Sequence, residues 1–194
     1  MNPKPDPLPA SHYTRTAVAL HWAVAGVISC TFTLGLIVSD LPFSPQKLKW
    51  VAYHKWLGIT VLILVVLRAI WRLTHRPPTL PPMPAWQLIG AKFTHALMYT
   101  LMFAIPLSGW LFSSATGYQV VYLGLLPLPN LLAKNKDLAE CLHGIHENFA
   151  WLMFYVLLLH LAAALKHHFL DRDDTLRRML KWRVAAPLHG KAHE

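Results

Sequence analysis

The sequence predicts an all-α membrane protein, a bundle of four transmembrane helices with both termini in the cytoplasm. Of its 194 residues 55% are hydrophobic and only 14% charged, and the mean hydropathy is positive at 0.36, a composition far from that of a soluble domain. Four stretches reach the roughly 20 apolar residues that cross a hydrocarbon core of about 30 Å: residues 16–38, 53–73, 93–114 and 145–166. Lys and Arg are unevenly divided. Thirteen of the eighteen fall in the N-terminus, the second connection and the C-terminal tail, and the excess of positive charge marks that side as cytoplasmic.

Taken in order, residues 1–12 are polar and proline-rich and read as a flexible tail. The first apolar run is too long for a cleavable signal peptide and has no small-residue cleavage site, so it is the first span. The connection HRPPTLPPMPAW, His75 to Trp86, carries five prolines and cannot be helix or strand. Pro106, with Ser108 and Gly109 close behind, predicts a kink in the third span. Residues 115–140 mix apolar YQVVYLGLLPLP with polar KNKD and read as a lid over the end of the bundle. The membrane domain covers 13–180, and 181–194 form a cytoplasmic tail.

Several classes are excluded. The net charge of +9 belongs to residues flanking spans, so it reports topology and contact with membrane lipid rather than nucleic acid, for which no motif is present. Cys30 lies midway through the first span and Cys141 at the outer mouth of the fourth, too far apart in depth for a disulfide. The eight tryptophans fall mostly at span ends, as an aromatic belt does.

The chemistry lies in the histidines, since an ionisable ring inside a span is costly and usually faces a bundle interior, a cofactor or a water path. His21 falls near the inner end of the first span, His54 near the outer end of the second, His146 near the outer end of the fourth and His160 deep toward its inner side. His146 and His160 are fourteen residues apart, about 40° short of four full turns and about 21 Å along the axis, so one face presents two rings at two depths. The depth-matched partners are His21 for His160 and His54 for His146. Two such pairs suit two flat macrocycles, each held at both axial positions. His95 competes with His21 for the inner level. Gly35, fourteen residues after His21, faces the outer level, where a missing side chain leaves room for a macrocycle; Gly58 lies one turn from His54. Arg68, fourteen after His54, points toward the inner level, where it would pair with an acidic substituent of the cofactor. His167, seven past His160, looks toward the inner cofactor's edge.

Two other readings use the same residues. A lone membrane histidine can simply bond neighbouring helices, and imidazoles also serve transporters of zinc, copper or iron. A transporter, however, wants one compact cluster with carboxylate or thiolate help, and these rings are split between two levels with only Glu147 as an acid inside a span.

The stretches ALHWAVAG, YHKWLGITVLILVVLRAIWRL, KFTHALMYTLMFAIPLSGW, HENFAWLMFYVLLLHLAAALKHHF and the tail DRDDTLRRM resemble the bacterial cytochrome b561 family of small dihaem membrane cytochromes. The resemblance spans most of residues 13–180. It implies two haem b groups, the inner on His21 and His160 and the outer on His54 and His146, in the bacterial inner membrane. It further implies electron carriage between the quinone pool, ubiquinone in particular, and a partner outside, with superoxide as the electron donor in one branch.

With both axial positions filled, outer-sphere electron transfer is the expected chemistry. The expected quinone site lies beside His167 and Arg68. Five outer lysines, Lys47, Lys49, Lys55, Lys134 and Lys136, would steer an anion such as superoxide, and a periplasmic redox protein is the other expected partner. An alternative is that the chain anchors the catalytic subunit of a larger dehydrogenase or hydrogenase.

Overall fold

The computed structural model describes residues 13–75, 77–78 and 83–180; the two tails, with His12, His189 and His193, lie outside the described residues. Four long helices dominate: α1 (Arg15–Asp40), α2 (Pro45–Thr74), α3 (Ala85–Thr116) and α4 (Lys136–Phe169), followed by a single turn, α5 (Arg177–Leu180). All four long helices are apolar and long enough to cross a membrane. Each predicted span lies inside a longer helix. Hydropathy marks only the part immersed in hydrocarbon, whereas capping groups set the helix ends. Thr14 accepts from the Ala17 N–H at the start of α1, Ser44 from Lys47 ahead of Pro45 in α2, and Asn135 from Leu138 in α4. At the end of α3, Gly117 takes a left-handed conformation (φ 85°) that closes the last turn. Because α4 begins at Lys136, Glu147 is an exposed residue within the helix and does not cap it.

Helices α1 and α2 form one antiparallel pair and α3 and α4 another, with α2 packed on α3; α4 meets α1 and α2 chiefly through side chains rather than close backbone packing. The apolar core lies at mid-bundle, where Val24, Val61, Val65, Met98, Leu101, Met102, Met153 and Val156 are buried together. The outward faces are greasy: Leu159 and Tyr155 are about 60% exposed and Ile70 and Leu158 about half exposed. In water such a surface would be a liability, and in a bilayer it meets acyl chains. Helix Ser and Thr hydroxyls donate back to carbonyls one turn earlier, as Ser29, Thr31, Thr33, Thr60 and Thr100 do, leaving few bare polar groups in the apolar zone.

The segment between α3 and α4 contains a small antiparallel hairpin, β1 (Val121–Tyr122) and β2 (Leu126–Pro127). Leu123 and Gly124 both have positive φ, 53° and 72°, the mirror-image turn that suits strand twist. The hairpin lies on α2: the Trp56 indole N–H donates to the Val121 carbonyl (2.7 Å) and Thr60 bonds the Tyr122 hydroxyl (3.0 Å). Trp110 reaches Pro129 in the same way, Trp71 reaches Thr14, and Trp22 reaches the Met179 carbonyl. These belt tryptophans are therefore also staples that fasten connections to the bundle. Cys30 and Cys141 are both free. The end where α1 begins and α4 finishes is the terminal end, and the opposite one is the hairpin end.

Candidate functional site

His146 and His160 leave one side of α4 at two levels, and each meets a ring from another helix. The His54 and His146 ring centres are 6.1 Å apart, and those of His21 and His160 are 6.4 Å apart. Two imidazoles on opposite sides of one metal ion, with metal–nitrogen bonds of roughly 2 Å and about 1.1 Å from each nitrogen to its ring centre, would have centres about 6.3 Å apart. Both pairs match that separation. At the hairpin-end pair the rings open on a cleft lined almost wholly by apolar groups, including Ile28, Phe32, Gly58, Met102 and Met153, a character suited to a large flat cofactor. Gly58 has no atom within 4 Å of where a β-carbon would stand, so its face is open space. The residues present fit a bis-histidine haem.

Each ring of this pair is held by a matching device. His54 Nδ1 lies 3.0 Å from the Thr31 carbonyl oxygen of α1, and His146 Nδ1 lies 2.9 Å from the Ile105 carbonyl oxygen of α3. A carbonyl only accepts, so Nδ1 carries the proton in both, and Nε2 keeps the lone pair a metal needs. Glycine stands four residues after each acceptor. A β-carbon on Gly35 would meet His54 Cε1 at 3.2 Å, and one on Gly109 would meet His146 Cε1 at 3.0 Å and Nδ1 at 3.1 Å. Without those side chains the imidazoles reach helical carbonyls that a larger residue would screen. Ser108 completes the second cradle, its hydroxyl 2.8 Å from the Ile105 oxygen and 3.2 Å from His146 Nδ1.

The terminal-end pair has a third ring beside it. His95 of α3 lies 5.4 Å from His160 between ring centres, with its Nδ1 bound to the Ala91 carbonyl of its own helix (2.6 Å). That separation is about 1 Å short of the trans-axial distance, so the geometry favours His21 as the partner of His160. Arg68 stands at the same end, donating from Nε to the Tyr99 hydroxyl (3.0 Å), and lines a second, shallow cleft.

His167 is not among the residues lining that cleft. Its Nδ1 lies 3.0 Å from a carboxylate oxygen of both Asp171 and Asp173, and Lys166 pairs with Asp171 at 2.7 Å. The DRDD stretch curls back under the end of α4, with the Asp173 N–H on the His167 carbonyl and the Thr175 N–H on the Asp173 carboxylate. Burial opposes ionisation of Asp173, but the Thr175 hydrogen bonds and neighbouring His167 outweigh it and hold its pKa below the usual carboxylate range. Of the five outer lysines, Lys55 turns inward to the Ser113 hydroxyl (2.7 Å), Lys47 bonds the Leu41 carbonyl, and Lys136 makes a long, exposed pair with Glu140. His143, off the shared face, rests exposed against Phe112.

The sequence points to the four rings, Gly35 and Gly58 as expected site residues and to Gly109 only as part of a kink; the structure sets Gly35 against the His54 ring itself. For Gly109 the available signal was its level: it lies in the helix antiparallel to α4, opposite His146. The acceptor carbonyls of Thr31 and Ile105 carry no sequence signal, since every residue has one.

The chain matches the family described as prokaryotic cytochrome b561 over residues 12–182. It is 35% identical over 170 residues to cytochrome b561 homolog 2 of Escherichia coli K12, covering 87% of this chain and 90% of that one. It is 29% identical over 172 residues to cytochrome b561 homolog 1 of the same organism, 88% and 97% of the two chains. It is also 29% identical over 170 residues to a Yersinia pestis protein named "Probable superoxide oxidase CybB", 87% and 95% of the two chains.

Proposed function

The chain belongs to the prokaryotic cytochrome b561 family, membrane b-type cytochromes of the bacterial inner membrane, and from that premise we propose that it carries electrons between the quinone pool and a partner on the periplasmic side. The observation that carries this reading is the pair of histidine couples at 6.1 and 6.4 Å on two levels of one α4 face. We assign His21 with His160 to one haem b and His54 with His146 to a second. Held by both histidines of a couple, a haem would supply one-electron outer-sphere transfer.

The protein's own part is positional. The Thr31 and Ile105 carbonyls fix the tautomer and plane of two ligands, and Gly35, Gly58 and Gly109 leave the space beside them. Val61, Met102 and Met153 reach from the mid-bundle core into the cleft and exclude water between the levels. With the terminal end in the cytoplasm, as the charge distribution favours, ubiquinone is the electron partner there, beside Arg68 in its cleft, whereas His167, turned to Asp171 and Asp173, lies outside that cleft. The kinship with a protein named a probable superoxide oxidase supports superoxide as the donor at the hairpin end, drawn in by the exposed Lys49, Lys134 and Lys136.

The test is spectroscopic and kinetic. The purified protein should be red, with haem bands that shift on reduction, and should pass electrons from superoxide to ubiquinone at a rate that falls steeply with ionic strength. No haem bands would end the whole reading. A rate indifferent to salt would remove superoxide steering, and a stoichiometric protein partner that follows the chain through gentle purification would instead mark it as an anchor subunit.

A further inference from the structure

The connection from α3 to α4 reads from its sequence as a lid, yet its hairpin lies on the flank of the bundle. The Trp56 indole meets the Val121 carbonyl and Thr60 meets the Tyr122 hydroxyl. From Trp56, α2 runs on outward to Pro45, about 16 Å of helix at 1.5 Å per residue, and that extension carries Lys47 and Lys49. The hairpin is therefore fastened well short of the helix end. In the other direction α2 reaches Arg72 in its last turn, and a charge of that kind belongs at the boundary of the hydrocarbon. Trp56 to Arg72 is about 24 Å by the same rise, less than the roughly 30 Å of a hydrocarbon core. The hairpin thus stands about 6 Å inside the opposite boundary.

Composition and backbone both suit that level. No Asp, Glu, Lys or Arg occurs between Lys92 and Lys134, whereas the connection from α1 to α2 is bracketed by Asp40 and Lys47. Backbone groups that water could serve are met inside the protein. The Leu125 N–H donates to the Tyr122 carbonyl (3.0 Å), Leu128 to Val120 (2.8 Å) and Leu131 to the Ser114 hydroxyl (3.1 Å). The Gln119 and Trp110 side chains donate to the Leu128 and Pro129 carbonyls, and Pro127 and Pro129 bring no N–H at all. Immersion in hydrocarbon demands such internal satisfaction, and an aqueous loop does not. Leu123, Leu125 and Leu126 have little protein to lie on, each being more than half exposed and Leu125 85% exposed.

We propose that the hairpin is seated in the membrane leaflet at its own end of the bundle, with Leu123, Leu125 and Leu126 among acyl chains just beneath the headgroups. A lid, or a docking face for a soluble partner, would present these side chains to water at the helix ends, and the hairpin is fastened below those ends. Trp56 is two residues from His54, so the same contact fixes how deep that ring lies beneath the membrane surface. The inference stands apart from the proposed electron carriage, since it uses neither a bound cofactor nor the orientation of the bundle.

Spin labelling of the full chain in phosphatidylcholine vesicles, with Cys30 and Cys141 replaced, tests it. A nitroxide at Leu125→Cys should collide readily with dissolved oxygen and poorly with a water-soluble nickel chelate, as a label at Leu158→Cys on the exposed apolar face of α4 should. Its nickel collision rate should be at least about tenfold below that of a label at Lys136→Cys, an exposed position at the start of α4, because hydrocarbon excludes a polar chelate. Circular dichroism checks that each variant keeps its helices; should Leu125→Cys fail to fold, Leu126→Cys takes its place with the same expectation. A hairpin label as open to nickel as the Lys136→Cys label would place the hairpin in water and overturn the proposal. A label shielded from oxygen and nickel alike would also overturn it, by showing that protein, a second copy of the chain included, covers these leucines.

Discussion

Gly109 and His146 are in contact across the α3–α4 interface: a β-carbon on Gly109 would stand 3.0 Å from the imidazole Cε1 and 3.1 Å from Nδ1. The same ring is anchored 2.9 Å from the Ile105 carbonyl, so it cannot retreat without giving up that bond. Gly109→Ala should therefore displace His146 and lower haem content from about two groups per chain toward one, the terminal-end haem surviving. Gly144, with nothing within 4 Å of its β-carbon position, provides the control, and Gly144→Ala should keep both. Haem-to-protein ratios by absorption of the reduced proteins check the pair, and full haem content in Gly109→Ala would show that the contact does not constrain the ligand.

The three rings at the terminal end separate by substitution. His21→Ala and His160→Ala should each lose the haem at that level and leave the other in place. His95→Ala should retain both, because its 5.4 Å approach to His160 is too short for the opposite axial position. Retention in His21→Ala with loss in His95→Ala would exchange their roles.

The hairpin is fastened locally. Trp56→Phe keeps the ring and removes the N–H that donates to Val121 at 2.7 Å, a hydrogen bond contributing about 1 kcal/mol. Amide exchange across residues 118–130 should speed by roughly fivefold with little change in the helices. Global unfolding instead would mean the hairpin supports the whole bundle.

Docking of the DRDD turn should depend on pH from the acid side. The pKa of Asp173 in the folded protein lies below the ordinary value of 3.8, so its stabilisation is complete above that value and is lost as pH falls through the folded pKa. A spin label at Leu180→Cys, in a background lacking Cys30 and Cys141, should be equally immobile from about pH 5 to neutral and loosen below about pH 4. In Asp173→Asn the label should be looser at neutral pH and insensitive to acid; an unchanged acid response would assign the titration to another group.

Much of this protein is legible in its residue order. Helical periodicity is a local property, so a fourteen-residue spacing put His146 and His160 on one face, and span order and depth brought His21 and His54 to their levels. Gly35 was legible by the same arithmetic. Hydropathy located the four spans but not the ends of α2, α3 and α4, which run on until Ser44, Gly117 or Asn135 supplies a terminating geometry.

What the sequence determined by itself was the bundle, its two levels and the rings assigned to them, because burial in lipid and helical rotation are fixed by residue order. Tertiary structure alone decided what holds those rings. The choice of the Thr31 and Ile105 carbonyls as acceptors, the closeness of Gly109 to His146, the nearness of His95 to His160, and the withdrawal of His167 to Asp171 and Asp173 depend on how the helices pack and how the chain turns after α4. A backbone carbonyl has no residue identity, so only packing selects which one a histidine meets.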